Sequence, residues 1–187
     1  MYQDVIIAGF GGQGVMLIGN LLAFAAMEQD LSVTFMPVYG VEMRGGTANC
    51  TVVLSDEEIG SPIIFSPQTS ILMNQPSVEK FQPRLLDHGL QLVNASIVEA
   101  DLLETERIRT IPVPANELAD ELGNAKMANM IMLGAWLQAT GSLPLPTVQG
   151  ALERVVSAHN ARLIPLNQKG LERGAAFVAA LADQIEV

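Results

Sequence analysis

Apolar runs and their interruptions divide this chain into strands and helices. Val5-Ile6-Ile7-Ala8 is short and rich in β-branched residues, and predicts a buried strand. Glycines at positions 9, 11, 12 and 14 then mark a turn. Val15 to Met27 is almost wholly apolar and is closed by Glu28, which predicts a helix covered on all sides. One side would lie on a sheet, and the other requires a partner. Ser32 to Met36 reads as a second strand, ended by Pro37. Strand, glycine turn, helix and strand make a βαβ unit, with a parallel sheet implied.

Residues 37–46, P-V-Y-G-V-E-M-R-G-G, carry no regular pattern. Thr47 to Leu54 alternates as a strand does and runs into an acidic turn, Ser55 to Glu58. Ser61-Pro62 and Ser66-Pro67 punctuate a loop. Further strands are predicted over 69–73, 90–94 and 108–113. A helix over 77–86 is interrupted at Pro83, and others follow over 115–122, 125–140, 147–159 and 168–185, with Gly123 and Gly141 as stops. No repeat and no Ser- or Pro-rich linker divides the chain. The expectation is one domain over 1–187 of the α/β class: a Rossmann-like layered domain with a mostly parallel sheet and a helical C-terminal part.

Composition adds a question about the surface. Hydrophobic residues make up 49% of the 187 and charged residues only 16%, against a usual charged share of about 25%. Either polar uncharged groups cover the surface, or part of it is buried against other subunits. The net charge of −10 argues against nucleic acid as a partner, which needs a basic footprint. It leaves room for a small anionic ligand at a local site. The single cysteine, Cys50, precludes an intrachain disulfide, a cysteine-ligated iron–sulfur cluster and a multi-cysteine zinc site. Met1-Tyr2-Gln3-Asp4 lacks the basic start of a signal peptide. The uncharged stretch 5–27 is broken by five glycines, Gln13 and Asn20, so no membrane span is expected and the protein reads as cytoplasmic.

The chemistry-bearing candidates are few. Gly9-Phe10-Gly11-Gly12-Gln13-Gly14 fits G-x-G-x-x-G after a strand and before a helix. Glycines permit the tight turn, and the helix N-terminus offers free N–H groups to an anion. The dinucleotide fingerprint also wants an acid about 20 residues on, at the end of the second strand. That place is Met36-Pro37-Val38, so NAD is disfavoured. Two readings of the turn stay open: close packing of backbone, or contact with an anion or pyrophosphate. Glu42 and Arg44, beside Gly45-Gly46, either clamp a phosphate or carboxylate or pair with each other to hold the loop. His88 and His159 sit in no motif and read as surface residues. Cys50 reads as a small buried hydrophobe. Met127, Met130, Met132 and Trp136, at helical spacing, read as core or interface. No serine lies in a nucleophile elbow and no H-x-x-x-H pair exists, so independent catalysis has no support.

Together these motifs resemble the gamma subunit of 2-oxoacid:ferredoxin oxidoreductases. The matching segments are G-F-G-G-Q-G at 9–14, P-V-Y-G-V-E-M-R-G-G at 37–46 and the strand with Cys50 leading to I-G-S-P at 59–62. Further matches are N-A-S at 94–96, N-M-I-M-L-G at 129–134 and N-Q-K-G-L-E-R-G at 167–174. The resemblance implies a holoenzyme that oxidises a 2-oxoacid with coenzyme A, releases CO2 and an acyl-CoA, and reduces ferredoxin. Thiamine diphosphate, Mg and iron–sulfur clusters would sit on alpha, beta and ferredoxin-like delta partner subunits. This chain would hold no cofactor alone, but would share a coenzyme A site through Gly11, Gly12, Gln13, Gly14, Glu42, Arg44 and Gly45. The short length favours the 2-oxoglutarate or branched-chain type over fused pyruvate enzymes. The beta subunit of indolepyruvate oxidoreductases looks similar, and an independent nucleotide-binding Rossmann protein is the other alternative. The isolated chain is expected to be inactive and to self-associate.

Overall fold

Nine residues, Tyr2–Phe10, form the central strand β1, whose middle is buried on both faces. A computed structural model describes residues 1–38 and 47–185. After β1 come α1 (Val15–Met27), β2 (Ser32–Val38), β3 (Thr47–Ser55), β4 (Thr69–Leu72), α2 (Gln75–Phe81), β5 (Leu90–Asn94) and β6 (Arg109–Val113). The C-terminal part is helical: α3 (Ala115–Glu121), α4 (Ala128–Thr140), α5 (Leu145–Val155) and α6 (Ile164–Ile185). Short 3-10 turns precede α4 at Ala125–Met127 and α6 at Ala158–Leu163.

The sheet order is β2-β3-β1-β4-β5-β6. From β1 through β4 and β5 to β6 every pair is parallel. On the other side β3 lies antiparallel between β1 and β2. The expected βαβ unit is therefore corrected: β1 and β2 run the same way but are not neighbours. The cause lies in the strands themselves. β3 is buried over most of its length and belongs inside the sheet. β2 is half-buried and includes Pro37, which has no N–H for a second neighbour and so suits an edge.

Two helices lie directly on one face. α1 covers β1, β2 and β3, and α4 covers β4 and β5. α5 then packs on α1, and α6 on α4. The partner required by the apolar α1 is thus largely supplied within the chain, and only Met27 of that helix is exposed. α4 is buried from Ala128 to Leu137. Its approach to α6 is backbone-close: a Cβ on Gly134 would run into the Leu171 carbonyl, and one on Gly174 into the Ile131 carbonyl. Trp136 Nε1 donates to Thr69 Oγ1 at 3.0 Å, tying α4 to the sheet. The opposite face is thinner, with Val78 and Phe81 of α2 packed on Ile6, Ala8, Leu72 and Val93. Among the described residues no helix is long and apolar enough to cross a membrane.

Candidate functional site: a cleft at the glycine turn

The parallel strands β1, β4, β5 and β6 all end on one edge of the sheet, where open α/β folds bind ligands. The glycine turn lies on that edge. Gly12 has φ +95° and Gly14 φ +74°, values that favour glycine, and Gly11 and Gly12 are exposed. Gln13 fastens the turn. Its Oε1 accepts from the Phe10 N–H at 2.7 Å and from Asn74 Nδ2 at 2.9 Å, while its Nε2 donates to the Met73 carbonyl at 3.2 Å. The loop after β1 is thereby pinned to the loop after β4. Asn74 in turn caps α2, its Oδ1 accepting from the Ser77 N–H at 3.0 Å.

α1 begins without a side-chain cap and without an acid in its first turn. Ile18 N–H is the first to reach back, to the Gly14 carbonyl at 3.2 Å. Among the described residues the N–H groups of Val15, Met16 and Leu17 meet no acceptor, and the helix dipole adds partial positive charge there. Asn129, in the first turn of α4, stands against the glycine turn. Its Nδ2 donates to the Gly14 carbonyl at 3.4 Å, and a Cβ on Gly14 would collide with that amide.

Between these elements opens a cleft of about 690 Å³. Gly12, Gln13 and Gly14 form one wall; Lys126, Asn129, Asn160 and Asn167 contribute to the others. The lining has one cation, Lys126, and no carboxylate among the described residues. In a chain with 20 acidic residues the described lining of the cleft is thus locally without negative side chains.

The pyruvate ferredoxin/flavodoxin oxidoreductase family matches this chain over residues 4–177. The chain belongs to that family. Ketoisovalerate oxidoreductase subunit VorA from Methanothermobacter marburgensis is 40% identical over 173 residues, 91% of this chain but 35% of that protein. The chain thus spans about a third of the length of that relative. 2-Oxoglutarate synthase subunit KorC from the same organism is 35% identical over 162 residues, 83% of this chain and 87% of KorC. In three dimensions the fold matches 2-oxoglutarate:ferredoxin oxidoreductase from Magnetococcus marinus, solved with 2-oxoglutarate, coenzyme A and succinyl-CoA bound. That match has a TM-score of 0.85 at 19% identity, and covers 96% of this chain and 31% of the other.

Within this family member the predicted site residues divide in two. Gly11 to Gly14 lie together at the turn. Glu42, Arg44 and Gly45 lie outside the described residues. Thr47, which follows that segment, pairs with Phe10, which precedes the glycine turn. Cys50 is buried, donates to the Val15 carbonyl at 3.6 Å, and has its thiol pushed up to about 12 by burial. It is a core residue, as its alternating strand implied. His88 and His159 are exposed. Lys126, Asn129 and Asn167 were not among the expected site residues. Both asparagines open segments that carry the resemblance, but their types alone gave them no role. Only the packing of α6 on α4, with the start of α4 beside the glycine turn, brings them to the cleft.

Proposed function

We propose that this chain is the gamma-type subunit of a 2-oxoacid:ferredoxin oxidoreductase, of the 2-oxoglutarate type, and that the cleft is its share of a coenzyme A site. The observation that carries this reading is the cleft itself: an exposed glycine turn and an uncapped helix N-terminus in a wall free of carboxylates. Coenzyme A presents phosphates, which such N–H groups bind. KorC, matched along most of both chains, supports the 2-oxoglutarate type. Coenzyme A bound to the fold relative from Magnetococcus marinus is compatible with it. In this reading Arg44, a fixed positive charge, belongs with Glu42 and Gly45 to the same coenzyme A site. The sole thiol of the chain is buried in the core, so its own residues do not fit a cluster. Thiamine diphosphate, Mg and iron–sulfur clusters belong to alpha, beta and delta partners, which carry out the oxidative decarboxylation and pass electrons to ferredoxin. This chain binds and orients coenzyme A.

Steady-state kinetics of the assembled enzyme test the reading. Arg44→Ala should raise the coenzyme A KM about 10- to 150-fold, the loss of one charge-assisted hydrogen bond, and leave the 2-oxoacid KM nearly unchanged. A variant that fails to assemble would instead make Glu42 and Arg44 an interface pair. Full assembly with normal coenzyme A kinetics would sink both. The chain alone should not reduce a viologen dye with any 2-oxoacid and coenzyme A.

A further inference from the structure

The cleft lies where the parallel strands end. The opposite edge, where β4 and β5 begin, carries a different feature. Ile63 is 56% exposed, Phe65 79% and Leu86 45%. Hydrogen bonds tie together the two segments that bear them. Arg84 Nε donates to the Phe65 carbonyl and Nη2 to the Ile64 carbonyl, both at 3.2 Å. The Leu86 N–H donates to the Pro67 carbonyl at 3.0 Å, and the Ile63 N–H to Ser61 Oγ at 3.2 Å. The apolar side chains thus stand on a backbone fixed at several points, which lowers the entropy lost when a partner covers them. The loop follows I-G-S-P at 59–62, a segment that contributes nothing to the lining of the cleft.

The charges beside the loop are distinctive. Lys80 and Arg84 both stand over the Phe81 ring, at 5.2 and 5.5 Å from its centroid. Neither pairs with a carboxylate among the described residues. Glu79 accepts from Gln75 at 3.2 Å, and Asp87 is paired with Arg107 at 3.3 Å. Glu57 and Glu58 stand at the far end of the connection, next to β3. Aromatic side chains and arginine are what protein interfaces concentrate. In a chain of net charge −10, apolar anchors beside two unpaired cations fit an apolar pocket with an acidic rim. In VorA the matching region is 35% of the protein, so a domain of this kind is built there alongside further polypeptide.

We infer that the Ile63–Phe65 loop, with Leu86, Lys80 and Arg84, is the docking surface for a partner subunit of the same enzyme. That partner offers an apolar pocket for Phe65 and carboxylates for Lys80 and Arg84. This rests on the reading of the chain as a gamma-type subunit, and adds the place of contact, on the edge remote from the cleft.

Competitive assembly tests it. Parent and variant full chains are co-expressed at equal levels with limiting alpha and beta subunits, and the complex is purified through the alpha subunit. Mass spectrometry then gives the ratio of the two chains. Phe65→Ser should be at least about 30-fold under-represented, as loss of an interface hot spot implies. Met27→Ser, which alters an apolar side chain 59% exposed at the end of α1, should compete as the parent does. Both side chains are exposed, so an unchanged melting temperature should certify each variant. In the assembled enzyme a zero-length carbodiimide should join Lys80 to an Asp or Glu of the partner. If the complex forms and Phe65→Ser competes equally, or no more weakly than Met27→Ser, the inference fails and the subunit reading stands. Cross-links from Lys80 to its own chain alone would also overturn it. So would an assembled Phe65→Ser complex that has instead lost binding to phosphatidylserine vesicles, which would make the face a membrane contact. If the parent chain is not recovered with alpha and beta at all, the subunit reading fails, and the inference with it.

Discussion

Gln13 joins three partners that come together only in the folded sheet: the Phe10 N–H, the Met73 carbonyl and the Asn74 amide. Gln13→Ala should cost about 1–3 kcal/mol in urea unfolding, since partly buried groups lose their partners. An undiminished midpoint would show that the turn holds itself. Asp4 makes a second case. It is buried in β1 and accepts from the Gln68 N–H at 2.7 Å. Burial raises its pKa, and this outweighs the hydrogen bonds from Gln68 and Tyr2 that lower it. Because the folded value lies above the unfolded one, its contribution is full below the unfolded value near 4 and is lost as pH rises through the folded value. Asp4→Asn should therefore be more stable than the parent at pH 7, with the advantage shrinking as pH falls toward 4. A constant difference across that range would contradict it. Residues of this scale were legible where their type was informative. Glycines in a fixed spacing declare a turn, whereas Asn129 and Asn167 gain meaning only from what lies opposite them.

Periodicity located nearly every strand and helix, because period and punctuation are local properties. It did not locate neighbours. β1, α1 and β2 looked like a parallel unit, yet β3 returned to fill the place between the strands. Pro37 reads as the end of β2 from local pattern alone, but in the sheet it lies within β2 and suits an edge strand. The apolar α1 likewise reads as needing a partner on its second side, and α5 from the same chain packs there. Which apolar face meets which is a long-range matter, and 12-residue windows do not contain it. The α4–α6 contact gives a sharp test at this scale. Gly174→Ala meets backbone and should destabilise by about 1–3 kcal/mol, as overpacking does. Gly150→Ala, exposed on α5 with nothing near its Cβ, should stabilise by about 0.4–1 kcal/mol. Thermal melts of the two variants should move in opposite directions.

For the molecule as a whole, the low charge remains the guide to behaviour. Phe65 is 79% exposed and Ile63 56% exposed, on the connection between β3 and β4. Together with a charged share of 16%, they lead us to expect self-association of the isolated chain, visible by light scattering on a sizing column. A monodisperse monomer up to high concentration would oppose this. The burial of Cys50 has a further consequence. The chain has one thiol, and that thiol sits at the centre of β3 under α1, protonated and sealed. A thiol-specific dye can reach it only when the sheet and helix part, so labelling at neutral pH becomes a clock for rare opening. Its rate should fall when coenzyme A, bound to the folded chain, makes that opening rarer. If labelling slows in this way, Cys50 serves as a built-in reporter, readable by mass spectrometry in a mixture of subunits without any engineered tag.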